Sequence, residues 1–217
     1  MNVLAFDGAL GAFSAAIARD DQIVAWRCEA GNIALERGLA FVESVLDQAQ
    51  LTPSGVDRLA VGIGPGGFTG LRIAIAYAKS LAAAWAIPLV PIPSFDLLEY
   101  GRTFERVLTV VIGRPGVISA RYRFGEEIRR ASGRTADVCD ALVPSFEGAK
   151  TLPVVGAPKD VLYTLAERAI IVRSVDPLVT PPAAAAALAA PSRTPPSSLH
   201  QVRADYGELP AAKIPKL

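Results

Sequence analysis

The stretch Gly64–Leu89, GPGGFTGLRIAIAYAKSLAAAWAIPL, puts four glycines and a proline directly ahead of a long apolar segment. The β-rich run Arg58–Ile63 leads into it, so the order is strand, glycine loop, helix. Glycines permit positive φ and leave backbone N–H groups uncovered, and Thr69 can cap the helix that follows. Such a terminus suits an anion. It equally suits a tight strand-to-helix turn that holds no ligand. Gly62, Gly64 and Gly67 fit the spacing G-x-G-x-x-G, but the acidic residue that a dinucleotide site needs about twenty residues further on is missing. No Gly-Lys-Ser/Thr closes the loop, so the P-loop pattern fails. Ile87-Pro88 ends the helix, because proline cannot donate the next hydrogen bond and restricts the residue before it.

The helix from about Leu71 to Ala86 is apolar almost all the way round. Leu71, Ile75, Ala78, Ala82 and Trp85 form one stripe, and Ile73, Ala74, Tyr77, Leu81 and Ala84 a second. An earlier helical pattern, from about Ile33 to Gln50, has Leu35, Leu39, Val42, Leu46 and Ala49 in a stripe beside Gly38, Phe41 and Val45. One face of each helix can cover a sheet; the other needs a further neighbour. Packing on each other and on a second domain would use part of the excess. A helix-pair interface with another subunit would use the rest, with Gly38, Ala74 and Ala78 allowing close approach. That interface would comprise Leu35, Gly38, Leu39, Phe41, Val42, Val45 and Leu46, with Leu71, Ala74, Ile75, Tyr77 and Ala78.

Working outward, three strand-like runs open the chain: Val3–Phe6, Phe13–Ala18 and Gln22–Cys28. In the second half, Val107–Ile112, Val117–Phe124 and Glu127–Ala131 precede a helix (Ala136–Leu142), a strand (Leu152–Val155) and a helix (Lys159–Arg168). Strand-strand-strand-helix-strand-helix thus occurs twice, an internal duplication of α/β units. The seam falls at Pro91–Tyr100, giving domains 1–98 and 99–190, with a short helix at Pro182–Ala190 and a Pro-rich tail, 191–217, that packs back on the first domain or stays free.

The 217 residues are 51% hydrophobic and 20% charged, with a formal net charge of +1. Mean hydropathy is +0.34. These values describe a folded, apolar protein with no global field to draw it onto nucleic acid or an anionic membrane. Prolines interrupt the uncharged stretches, and no signal-like or membrane-spanning segment is evident, so a cytoplasmic location is expected. Cys28 and Cys139 have no metal spacing and are expected as two buried thiols in a reducing compartment.

GPGGFTGLRIAIAYAKSLA (64–82) resembles the signature of the TsaB (YeaZ) family, GPGSFTGLRIG…AKGLA, with Gly67 in the place of serine. VLAFDGALGAFSAAI (3–17) is similar to the family's first hairpin, and ALERGLAFVESVL (34–46) to its H-S-E-R-L-L-P segment, with Ala34 for histidine. The resemblance covers roughly residues 2–98. It implies the duplicated α/β unit of the sugar-kinase/actin-like (ribonuclease H-like) superfamily in two domains. It further implies a non-catalytic subunit of the tRNA N6-adenosine threonylcarbamoyltransferase complex. Family members pair with the catalytic subunit TsaD through a bundle of N-terminal-domain helices, together with the ATPase TsaE, and the tRNA is substrate of the complex. ATP or ADP would then sit at a complex interface. Two departures stand out: Ile112-Gly113-Arg114 lacks the acid of the family's D-A-R segment, and Val202–Tyr206 only loosely follows its C-terminal motif.

Metal chemistry of the TsaD kind needs a His-x-x-x-His pair on the first helix. Ala34 and Gly38 hold that spacing here, and the single histidine, His200, lies in the tail. No catalytic residue and no metal ligand is therefore assigned. Asp7 stands where kinase and actin relatives keep a metal-facing carboxylate, and its side chain can also cap the hairpin turn. With Gly64, Gly66, Gly67, Thr69 and Gly70 it makes the candidate phosphate or nucleotide loop. The rival readings are an active actin-like ATPase or small-molecule kinase using that loop, and a homodimeric scaffold pairing the same helices. Arg121, Arg123, Arg129, Arg130 and Arg134 read as a solvated strand face, with no basic stripe interleaved with aromatics.

Overall fold

The computed structural model describes residues 1–30 and 37–207. The first lobe contains β1 (Asn2–Asp7), β2 (Ala12–Arg19), β3 (Gln22–Ala30), α1 (Gly38–Gln48), β4 (Arg58–Gly62), α2 (Phe68–Trp85) and β5 (Leu89–Ile92). Helix α3 (Ser94–Glu99) follows, then β6 (Arg106–Arg114), β7 (Val117–Phe124), β8 (Glu127–Arg134), α4 (Thr135–Leu142), β9 (Leu152–Val155), α5 (Lys159–Glu167) and β10 (Val172–Val175). Helix α6 (Pro182–Ala189) closes the series.

The strand orders are β3-β2-β1-β4-β5 and β8-β7-β6-β9-β10. In each sheet two antiparallel pairings are followed by two parallel ones. One sequence pattern has therefore been folded twice into one topology. Its central strands, covered on both faces, read as continuous apolar runs, as β1 does.

The first sheet buries Leu4, Phe6, Phe13 and Ile17 under α1 and α2. Its other face offers Ala5, Ala16, Ala18 and Ala60, and α6 lies on it with Ala183 to Ala187 all buried. The sequence pattern groups residues 99–190 together, yet α6 packs against β1, β2 and β4 of the first sheet. Only an alanine face can lie flush on so small-residued a surface, and alanine is also the strongest helix former. The second sheet packs Leu108, Val110, Ile118 and Tyr122 against α4 and α5.

The expected seam holds the end of β5 and α3, which lies between the sheets. Asp96 and Glu99 on α3 bind the second sheet through Arg121 (2.6 Å to Asp96, 2.8 Å to Glu99) and Arg123 (3.1 Å to Glu99). Arg193 from the tail joins Asp96 at 2.8 Å, and Thr109 donates to Glu99. Burial alone would raise the Asp96 carboxyl, but Arg121 and Arg193 hold it below the usual carboxylate range. Arg121 and Glu99 are buried, so the expectation of a wholly solvated arginine face is corrected: Arg121 and half-buried Arg123 tie the lobes together. Removing one partner of a buried pair strands the other's charge. Glu99→Ala is therefore expected to lower unfolding stability by about 3 kcal/mol in urea titration. A loss below about 1 kcal/mol would show that the network does not join the lobes.

Cys139 is buried, but Cys28 lies exposed on edge strand β3, against the expectation of two buried thiols. No described helix is long and apolar enough to cross a membrane.

Candidate functional site

The glycine loop lies between β4 and α2. Helix α2 starts at Phe68, with Gly67 as its N-cap and no side-chain capping bond, so Thr69 sits inside the first turn instead of capping it. The helix ends at Ala86 in the left-handed region (φ 52°), just before Ile87-Pro88.

Close backbone packing explains the glycines. A Cβ on Gly70 would come within 2.0 Å of the Gly8 oxygen, and one on Gly8 within 2.4 Å of the Gly70 oxygen. Gly66 (φ +155°) and Gly64 (φ +96°) would meet the Ala9 oxygen at 2.2 Å and the Asp205 oxygen at 2.1 Å. The Gly67 N–H donates to the Ala9 oxygen at 2.8 Å. The β1–β2 turn and the tail thus bring three carbonyl oxygens against the loop glycines. Gly64 and Gly66 are buried by this packing. This packing accounts for the glycines as parts of a tight strand-to-helix turn.

Asp7, at the end of β1, is fully buried. Its Oδ1 accepts from the Ala9 and Leu10 N–H groups, both at 3.2 Å, which caps the hairpin turn. Its Oδ2 has no hydrogen-bond partner among the described residues and faces Gly62, where a Cβ would lie 2.0 Å away. Desolvation pushes this carboxyl up to about 7, although the two backbone N–H groups pull it down. No group of three or more potential metal ligands occurs among the described residues, and His200 is exposed in a short turn at Leu199–Gln201.

Past α6 the tail returns to the first lobe. Val202 is fully buried, and the Asp205 N–H donates to the Ile63 oxygen at 2.7 Å. Tyr206 packs on Phe68 with ring centroids 5.1 Å apart, and Arg72 donates to its hydroxyl at 2.8 Å. Nothing in the local sequence marks Tyr206 as a partner of α2, since 134 positions separate it from Arg72.

The interface residues expected from periodicity divide sharply. Gly38, Phe41, Val42, Val45, Leu46, Leu71, Ala74, Ile75 and Ala78 are buried within the chain. They pack α1 and α2 on the sheet and on each other; the missing Gly38 side chain, for example, makes room for the Tyr77 ring. They are core, and the expectation that they form a free face is corrected. Tyr77 is half-buried, Leu39 is 52% exposed, and Leu35 lies outside the described residues. The open face of α2 is a different one: Phe68, Arg72, Ala76, Ser80, Ala83 and Ala84. A helical-wheel argument misses it because alanine counts as apolar whether it is buried or not.

Two α/β lobes of one topology, with a glycine loop after β4 and a carboxylate at the end of β1, define the actin-like (ribonuclease H-like) class. YeaZ of Pseudomonas aeruginosa superimposes with a TM-score of 0.69 over 94% of this chain and 99% of that one, at 24% identity, a likeness of fold. The sequence profile of the family described as TsaD: tRNA N6-adenosine threonylcarbamoyltransferase matches residues 34–167. The Bacillus subtilis tRNA threonylcarbamoyladenosine biosynthesis protein TsaB is 28% identical over 113 residues, 51% of this chain and 49% of its own. An uncharacterised Mycobacterium tuberculosis protein is 33% identical over 162 residues, 72% of each chain. The chain belongs to this family, and within it is a divergent member of the TsaB (YeaZ) branch. It spans about half the length of the curated TsaB protein it matches.

Proposed function

We propose that this chain is a supporting subunit in tRNA threonylcarbamoyladenosine formation, docking a TsaD-like catalytic subunit alongside a TsaE-like ATPase. The observation that carries the reading is family membership combined with a glycine loop packed solid by its own backbone. A chain that keeps the family's loop with its glycines packed tightly against backbone is suited to scaffolding. ATP or ADP, in this reading, belongs at the interface with a partner, and the tRNA is substrate of the assembly.

The docking face is the open side of α2 around Ala76, Ser80 and Ala83, bordered by Phe68. Small side chains there let a partner helix approach closely. Val42 and Ile75 are unsuitable as probes, since charge placed in the core would unfold the chain. Ala76→Arg instead changes an exposed position. It is expected to weaken capture of a TsaD-like subunit at least tenfold by biolayer interferometry, with thermal stability unchanged; undiminished capture would count against this face.

Reconstitution of tRNA threonylcarbamoylation with and without this chain tests the function itself. A yield indifferent to its omission overturns the proposal. ATP turnover by the isolated chain would favour the kinase-like rival.

A further inference from the structure

The near-zero net charge conceals a division between the lobes. Residues 1–99 carry six Lys/Arg against ten Asp/Glu, whereas residues 100–175 carry twelve against eight. Within the second lobe, carboxylates pair with Arg121 and Arg123 through α3, with Arg129 through Glu127, with Arg134 through Asp137, and with Arg168 through Asp140.

Three cations without a carboxylate partner among the described residues line one groove of about 530 Å³: Arg106, Lys150 and Arg173. They come from the start of β6, from just before β9 and from β10, three neighbouring strands. Arg173 pairs in register with Pro153, and Arg106 lies two residues before Leu108, the partner of Val154. All three lie at the same end of these parallel strands, where they line the groove. Two inter-strand steps spread them over about 10 Å, more than a single phosphate ion spans.

Aromatic rings frame the groove. The Arg106 guanidinium lies 4.4 Å from the centroid of the Phe124 ring, which is 40% exposed, and Phe104 lines the wall. Stacking holds Arg106 in place, while its Nη1 is buried with no hydrogen-bond acceptor. Glu105 is the one carboxylate in the lining. A cation held by stacking, two exposed cations and an adjacent aromatic wall form a backbone track of the kind that binds nucleic acid without base readout.

We infer that this groove binds the phosphate backbone of RNA, giving the second lobe a direct contact with the tRNA. The inference deepens the proposed function and rests on it only for the choice of RNA. Lys150 and Arg173 are exposed, so Lys150→Gln/Arg173→Gln leaves the fold intact. Fluorescence anisotropy with an unmodified tRNA transcript is expected to show at least tenfold weaker binding by the double variant. The slope of log K against log salt should fall by about 2, one per lost contact, while Arg203→Gln on the other lobe changes neither. Equal binding by wild type and double variant overturns the inference. So does wild type that binds only short polyphosphate and no tRNA. Capture of the TsaD-like subunit by the same double variant separates the two readings. Retained capture with lost RNA binding supports this groove, and RNA binding that survives in both variants removes it while leaving the docking proposal standing.

Discussion

Alanine at position 70 is expected to unfold the chain or cost it well over about 4 kcal/mol, among the largest effects available to a single methyl group. The added Cβ would lie 2.0 Å from the Gly8 carbonyl oxygen, and the neighbouring atoms are backbone on both sides. Neither can swing aside as a side chain would. Gly8 is pinned by the Asp7-capped turn, and Gly70 by the first turn of α2. Gly8→Ala should behave alike. Gly11→Ala is the control: its φ is +87°, but nothing lies within 4 Å of the added atom, so only backbone strain of about 1 kcal/mol applies. Urea titration of the three variants distinguishes the cases. Similar losses at Gly11 and Gly70 would mean that conformational freedom, rather than close backbone contact, is what the loop glycines supply.

The second large effect is a pH dependence centred on Asp7. Its folded-state value, about 7, lies above the ordinary 3.8, so the folded protein holds this proton more tightly than the unfolded chain does. Below about pH 4 the group is neutral in both states and the stabilisation is fully present. As pH rises towards 7 the unfolded chain ionises first, and stability is lost progressively, by about 4 kcal/mol in all at about 1.4 kcal/mol per unit. Above about 7 both states are ionised and the loss levels off. Asp7→Asn keeps an oxygen for the Ala9 and Leu10 N–H groups and removes the titration. Relative to wild type, the variant should gain about 3 kcal/mol between pH 5 and pH 8 in parallel denaturation curves. A difference that stays flat across that range would show that Asp7 ionises normally in the folded state.

The same burial separates the legible from the illegible in this sequence. Alternating and continuous apolar runs are local properties, so the six elements of each unit and their repetition could be read in order. The signature around the glycine loop likewise carries the family, because it is contiguous. Strands β5 and β10 escaped notice: Pro91 interrupts the first, and Arg173 and Ser174 make the second too polar to read as an apolar run. The site reading failed where it needed to know which side of an apolar helix faces inward. Ile75 and Ala76 are adjacent and both apolar, yet one lies under the sheet and the other in solvent.

Sequence alone determined the duplicated α/β units, the turn-forming loop and the family, since each is written in neighbouring residues. Tertiary structure alone decided that the loop glycines pack against backbone from the β1–β2 turn and the tail, and that Asp96 and Glu99 bind arginines across the lobes. It alone placed α6 under the first sheet and brought Arg106, Lys150 and Arg173 to one end of three strands of the second. These depend on distances between residues far apart in the chain, set by how helices and sheets close on one another, and no local pattern encodes them.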